Sequence, residues 1–188
     1  IFILSDEIYS KIIFEDKKMP SFLNYPSIRE RLIILEGWSK TFCMTGWRLG
    51  WSYWPKKLYE YANKLCVNDH SCPSSISQQA GIEALKGPKN FIENIRKEFQ
   101  KRKEFIHLEL NKLKNMNCFE PGGAFYAFPN VSKSGLSGQK FCKIALEDKG
   151  VALVPGTSFG NSAENFARIS YANSMENLEK AIYRLSTI

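Results

Sequence analysis

Three short apolar runs, in IFIL (1–4), KIIF (11–14) and LIIL (32–35), lie between polar turns near the start of the chain. A strand with one wetted face alternates polar and apolar side chains. A run without alternation has to be covered on both faces, so these segments read as central strands of a mostly parallel α/β sheet. LGWSYWP, closed by Pro55, reads as a further strand. Leu58, Tyr61, Ala62 and Leu65 then recur at helical spacing, and a loop with Cys72 and Pro73 follows.

The pattern from Ser75 to Leu85 is again helical, and Gly87-Pro88 breaks it. Pro88 suits the first turn of a new helix, on which Phe91, Ile95, Phe99, Ile106, Leu110 and Leu113 share a face. That helix would run about 26 residues, roughly 39 Å at ~1.5 Å per residue, long enough to link two domains. After Asn115 the style becomes α+β: alternating GAFYAF (123–128), a helix from an N-cap at Ser137, strands VALV (151–154) and FARISY (166–171), and an amphipathic helix with Met175, Leu178, Ile182 and Leu185. The expected organisation is the later part of a large domain (1–87), a connecting helix (88–115) and a small α+β domain (116–188).

With 188 residues, of which 44% are hydrophobic, the chain can bury one or two cores. The formal charge of +7 invites a nucleic-acid reading, but from Lys86 to Phe105 the basic residues alternate with Glu93, Glu98 and Glu104, the pattern of a solvated helix face. No run approaches the roughly 20 apolar residues a membrane span needs, and the start lacks the basic flank of a signal peptide. Five cysteines without a CxxC and two distant histidines, His70 and His107, point to free thiols in a reducing, cytoplasmic setting and to no metal site. The first residue is Ile1, already inside an apolar run, so the sequence is expected to be the C-terminal portion of a longer chain.

Two stretches could carry chemistry. In SDEIY, Asp6 closes the first run, at the strand end where α/β sheets place ligands, and Tyr9 follows; an Asp opening a turn and a Tyr covering the core would look the same. In GWSKTFCMTGWRLGW (37–51), Lys40 follows a buried strand and sits among Gly37, Ser39 and aromatics. Desolvation and a nearby cation would lower the pKa of such an amine and make it a nucleophile toward an aldehyde. Gly46 and Arg48 complete the stretch. A separation of eight residues spans about 12 Å if helical and about 28 Å if extended, so Lys40 and Arg48 could grip one small molecule, or be an exposed lysine and a structural arginine.

Taken together, SDEIY, SKTFCMTGWRLGW, PGGAFYAFPN, VPGTSFG and FARISYA resemble, in order and separation, class I pyridoxal-phosphate-dependent aminotransferases similar to aspartate aminotransferase. The resemblance covers nearly the whole chain. It implies the C-terminal part of a fold-type I transferase, with pyridoxal 5'-phosphate as cofactor, an amino acid and a 2-oxo acid as substrates, and a homodimer. It also implies roles. Lys40 would form the imine with the cofactor aldehyde and shuttle the substrate proton; Asp6 would keep the pyridine nitrogen protonated; Tyr9 would hydrogen-bond the phenolic oxygen; Ser39 and Arg48 would hold the phosphate. Arg168 would grip the substrate α-carboxylate, while Gly156 and Gly160 shape the turn before it. Trp38 and Cys43 depart from the commonest form of the lysine block, which has smaller residues at both places.

Ser137-Gly138-Gln139-Lys140 matches the S-x-x-K of serine acylases, but SDE (5–7) and KTF (40–42) stand where SDN and KTG are required, and no phosphate-binding glycine fingerprint is present. Besides a transaminase, two readings use the same residues: a lyase on the same cofactor, and an effector-sensing domain of an aminotransferase-like transcription regulator. In the enzyme reading neither nucleic acid nor membrane is a partner.

Overall fold

LIIL becomes the middle strand of a three-stranded sheet in the first of two units, Ile1–Arg96 and Lys97–Ile188. The computed structural model describes residues 1–15, 17–88 and 90–188. Strand β2 (Leu32–Gly37) runs parallel to β1 (Ile3–Asp6), with Ile3 opposite Leu32 and Asp6 opposite Leu35, and antiparallel to β3 (Gly50–Tyr53), with Gly37 opposite Gly50. Leu32, Ile33 and Ile34 are buried, as an unbroken apolar run requires.

The other two runs behave differently. β1 has β2 on one side and no strand on the other among the described residues, and Leu4 is 61% exposed. KIIF is not a strand. Successive turns, with Ser10 N–H donating to Glu7 O (2.8 Å) and Ile12 N–H to Tyr9 O (2.9 Å), use the groups a ladder would need. Ile12 and Phe14 (1% and 0% exposed) enter the core from this irregular backbone instead.

Helices α1 (Trp38–Thr41), α2 (Tyr59–Asp69) and α3 (Ser75–Lys86) complete the first unit, joined by the start of α4 (Asn90–Lys112). α4 has 23 residues where the apolar spacing predicts about 26. Lys89, within the expected span, lies outside the described residues. The acidic and basic residues of α4 do pair along its surface: Glu93 with Arg96 (2.9 Å) and Glu98 with Arg102 (3.0 Å). Helix ion pairs at this spacing contribute about 0.3–0.5 kcal/mol each. The division between the units falls inside this helix, after Arg96. No described helix is long and apolar enough to cross a membrane.

In the second unit β4 (Tyr126–Ala127), β6 (Ala167–Ser170) and β5 (Val154–Pro155) form an antiparallel sheet in that spatial order. Of VALV only Val154 joins the strand, because the Val151 N–H closes the end of the preceding helix by donating to Ala145 O at 2.7 Å. That helix, α5 (Gly138–Glu147), starts as its sequence predicts: Ser137 Oγ accepts from Lys140 N–H. α6 (Met175–Leu185) is capped likewise by Ser174 and buries Leu178, Ile182 and Leu185. Ala127, Ala167 and Ile169 line the core face of the sheet together with Phe141, Ala145 and the wholly buried Tyr171. Gly156 lies so close to the carbonyls of Ala163 and Phe166 that a Cβ there would collide with backbone, which is why the turn ahead of β6 needs glycine. Gly160 sits at φ 135°, a conformation essentially reserved for glycine.

The five cysteines are unpaired. Burial pushes the Cys142 thiol from 9.0 up to about 11, raises Cys118 against the opposing pull of a backbone hydrogen bond from Phe128, and raises the Tyr171 phenol, to which Cys118 adds. All three fold as neutral groups, so the stability tied to their protonation is present at neutral pH and is lost as the medium becomes alkaline. For Cys142 the loss begins near pH 9 and continues until about pH 11. Denaturation midpoints in urea should fall across that interval, and Cys142→Ala should show a shallower fall than the parent.

Candidate active site

The parallel pair β1–β2 brings two strand ends to one edge of the sheet. Asp6 is the last residue of β1, and its Oδ1 accepts the Ile8 N–H at 3.1 Å. The second carboxylate oxygen has no partner among the described residues. Tyr9 stands in the turn that follows. β2 ends at Gly37 and passes directly into α1, which carries Ser39 and Lys40, both half-buried. The Lys40 Nζ lies 6.0 Å from the centroid of the Tyr9 ring. Residues more than thirty positions apart in the sequence thus meet as an amine, a phenol and a nearby carboxylate.

A helix of four residues does not hold itself. α1 is fixed from outside by Trp38, whose indole N–H donates to the Gly81 carbonyl of α3 at 3.0 Å. Gly81 leaves room for this contact: a Cβ there would collide with the Leu49 side chain and reach 3.3 Å from the indole. At the other end of the junction a Cβ on Gly37 would lie 3.0 Å from Leu49 O and 3.2 Å from Gly50 Cα, so the strand end packs against β3 backbone to backbone. The bulk of Trp38, unusual in its motif, has this anchoring role. Cys43 has φ 55°, a left-handed conformation that costs any residue carrying a Cβ.

Arg48 lies beyond a 3-10 turn, exposed and left-handed (φ 51°), with its guanidinium donating to Thr45 O at 3.1 Å. The contacts of this stretch therefore join Lys40 to Tyr9, while Arg48 is tied to its own turn. Ser39 makes no described hydrogen bond.

Arg168 belongs to the second unit. It sits in β6 opposite Val154, half-buried, with its guanidinium carbon 4.4 Å from the Tyr126 ring centroid and 4.8 Å from that of Phe159. Phe128 stacks on Phe166 (5.1 Å) and meets Phe159 edge-on (5.8 Å), extending the aromatic wall. Among the described residues no carboxylate pairs with Arg168 and none of its guanidinium N–H groups makes a hydrogen bond. Neither Tyr126 nor Phe159 is marked by the sequence as part of a site. The alternation in GAFYAF would put Tyr126 and Phe128 on one face, but their meeting with Arg168 depends on the pairing of β4 with β6.

The family model for aminotransferase class I and II matches residues 1–185. The chain belongs to the class I and II aminotransferases. An aspartate aminotransferase of Pyrococcus horikoshii is 40% identical over 190 residues, covering 98% of this chain and 47% of that protein. Aromatic-amino-acid aminotransferase 2 of Thermococcus litoralis is 34% identical over 190 residues, covering all of this chain and 49% of its own length. Among solved structures, an aromatic aminotransferase from Pyrococcus horikoshii superposes with a TM-score of 0.94 at 36% identity, covering 100% of this chain and 50% of that one. The chain therefore spans about half the length of the aminotransferases it matches.

The side chains present fit pyridoxal 5'-phosphate, the cofactor of this family. Lys40 offers an amine to an aldehyde, Asp6 an unengaged carboxylate oxygen to a ring nitrogen, and Tyr9 a phenol, all at the carboxyl end of a parallel strand pair. Because Trp38 fixes the short helix that carries Lys40, Trp38→Phe should keep the ring's packing and lose one hydrogen bond. The expected destabilisation is about 0.5–1.5 kcal/mol, read from chemical denaturation, with Ser39 and Lys40 becoming faster in amide hydrogen exchange.

Proposed function

We propose that this chain contributes the lysine-bearing half of the active site of a pyridoxal-phosphate-dependent aminotransferase, an enzyme that moves an amino group between an amino acid and a 2-oxo acid. The observation that carries the reading is the meeting of Lys40 with Tyr9 beside Asp6 at one edge of the sheet, in a member of this family. When bound, the cofactor supplies an aldehyde carbon for the amino group and an electron-withdrawing ring for the charge that develops at the substrate Cα.

Each residue of the chain has a task in that chemistry. Lys40 would be the attachment amine and would carry the proton between the substrate Cα and the former aldehyde carbon, which lies across the amino nitrogen. Asp6 accepts the ring N–H and, as an anion, keeps that nitrogen protonated. Tyr9 donates its hydroxyl to the phenolic oxygen, and Arg48 with Ser39 holds the phosphate. Arg168 takes the α-carboxylate in a two-point hydrogen-bonded pair, which orients the Cα–H bond for cleavage. The same reading carries a cytoplasmic homodimer. The exposed Tyr59, Leu65, Ile76 and Leu85 of α2 and α3 support it as apolar surface for a second copy.

Borohydride reduction of the complete holoenzyme followed by peptide mapping should place the pyridoxyl label on Lys40; a label on another lysine would overturn the assignment. The two arginines separate by ligand. Arg168→Ala should weaken amino-acid binding by about 10- to 150-fold, the worth of a charge-assisted pair, and leave cofactor affinity nearly intact. Arg48→Ala should loosen the cofactor first. Spectroscopic titration of each variant with cofactor and with amino acid checks both, and equal loss of cofactor by the two would remove Arg168 from its substrate role.

A further inference from the structure

Lys103 is buried to 1% exposure in the middle of α4, and its Nζ donates to Glu120 Oε1 at 2.6 Å, although Glu120 itself is half exposed. Burying an ammonium is costly, and an apolar side chain would fill the same space with no such penalty. An ion pair placed there holds something in register rather than adding net stability. What it holds is the segment leading to the Arg168 site.

Phe99, Lys103 and Asn111 lie on one ridge of α4, four and eight residues apart. Each grips the chain that follows the helix. Asn111 accepts from the Cys118 N–H (3.0 Å) and donates to the Cys118 carbonyl (2.9 Å); Lys103 takes Glu120; Phe99 stacks on Phe125 at 5.3 Å and 27°. Between the last two grips the chain makes the PGGA turn, with Ala124 strained at φ 58° and its carbonyl accepting the Tyr171 hydroxyl at 3.3 Å. Tyr126 comes two residues later, with its ring against the Arg168 guanidinium.

We infer that Lys103 is a positioning residue for the substrate-carboxylate site: through Glu120 it fixes the turn that sets Tyr126, and Tyr126 sets the plane of Arg168. The inference rests on the reading of Arg168 as the carboxylate-binding arginine. It assigns Lys103 no contact with substrate or cofactor.

The test uses the complete holoenzyme and two probes, α-methyl-L-aspartate and α-methyl-L-phenylalanine, which carry the α-carboxylate but no Cα hydrogen and so report binding without turnover. Glu120→Gln keeps the shape of a half-exposed side chain and removes the charge that Lys103 needs. Its probe dissociation constant should rise on the order of 10-fold, below the ~100-fold that a misplacement of about an ångström can cost, with cofactor affinity unchanged. Lys103→Met should behave the same way, and Lys103→Arg should recover most of the binding. Ile182→Val, a core substitution in α6, serves as a control that lowers thermal stability without moving probe affinity. If Glu120→Gln binds both probes like the parent, or shifts them no more than Ile182→Val does, Lys103 is merely structural and the inference fails. Arg168→Ala run alongside separates the two levels. Should it bind the probes as tightly as the parent, the carboxylate assignment falls and this one with it; should it weaken them while Glu120→Gln does not, only the role of Lys103 is lost.

Discussion

The parallel register of β1 and β2, with Asp6 opposite Leu35, is the constraint on which the lysine half of the site depends. Parallel strands finish at the same edge, so the acid at the end of one and the short helix at the end of the other arrive together without being neighbours in sequence. A slip of one residue would turn Asp6 to the opposite face of the sheet. The antiparallel return of β3 secures the arrangement from the other side, because Gly37 and Gly50 face each other at a distance that a side chain on Gly37 would not permit. Lys40 can then sit on a helix as short as α1, since its position comes from the strand before it and from the Trp38 anchor on α3.

The sequence revealed this edge because burial and strand ends leave one-dimensional traces. An apolar run stopped by Asp6, a second run leading into Gly37, and a serine ahead of an amphipathic stretch at Ser137 each carry a local physical cause. KIIF misleads for a matching reason. Burial of Ile12 and Phe14 demands apolar side chains whether the backbone is a strand or a series of turns, and periodicity over four residues does not distinguish them. The anchors of the site left no trace of what they hold. Trp38 looks oversized until Gly81, 43 residues later, is placed beneath it. The left-handed conformations of Cys43 and Arg48 occur at residues whose type does not announce them.

The positive charge shows the same division between local and three-dimensional causes. Arg96, Arg102 and Lys112 of α4 are answered within the helix by glutamates three or four residues away, and such pairs can be read directly from spacing. Lys103 is answered by Glu120, from a segment the helix itself positions, and its burial could not be anticipated from a helical stretch this rich in charge.

Arg168 is the informative exception, and the nature of its neighbours explains why it stays available. A carboxylate beside it would neutralise it and compete with any incoming anion for the same N–H groups. Aromatic rings hold a guanidinium differently: Tyr126 and Phe159 attract the cation through their π faces, over which the guanidinium carbon lies. The hydrogen-bond donors lie in the guanidinium plane and point outward along its edge, where neither ring can accept from them. A planar acceptor with two oxygens completes the group, and a lysine in the same slot could offer only a point charge. The aromatic wall thus fixes the cation in place without using up its capacity to bind, as the carboxylate-binding role proposed for Arg168 requires.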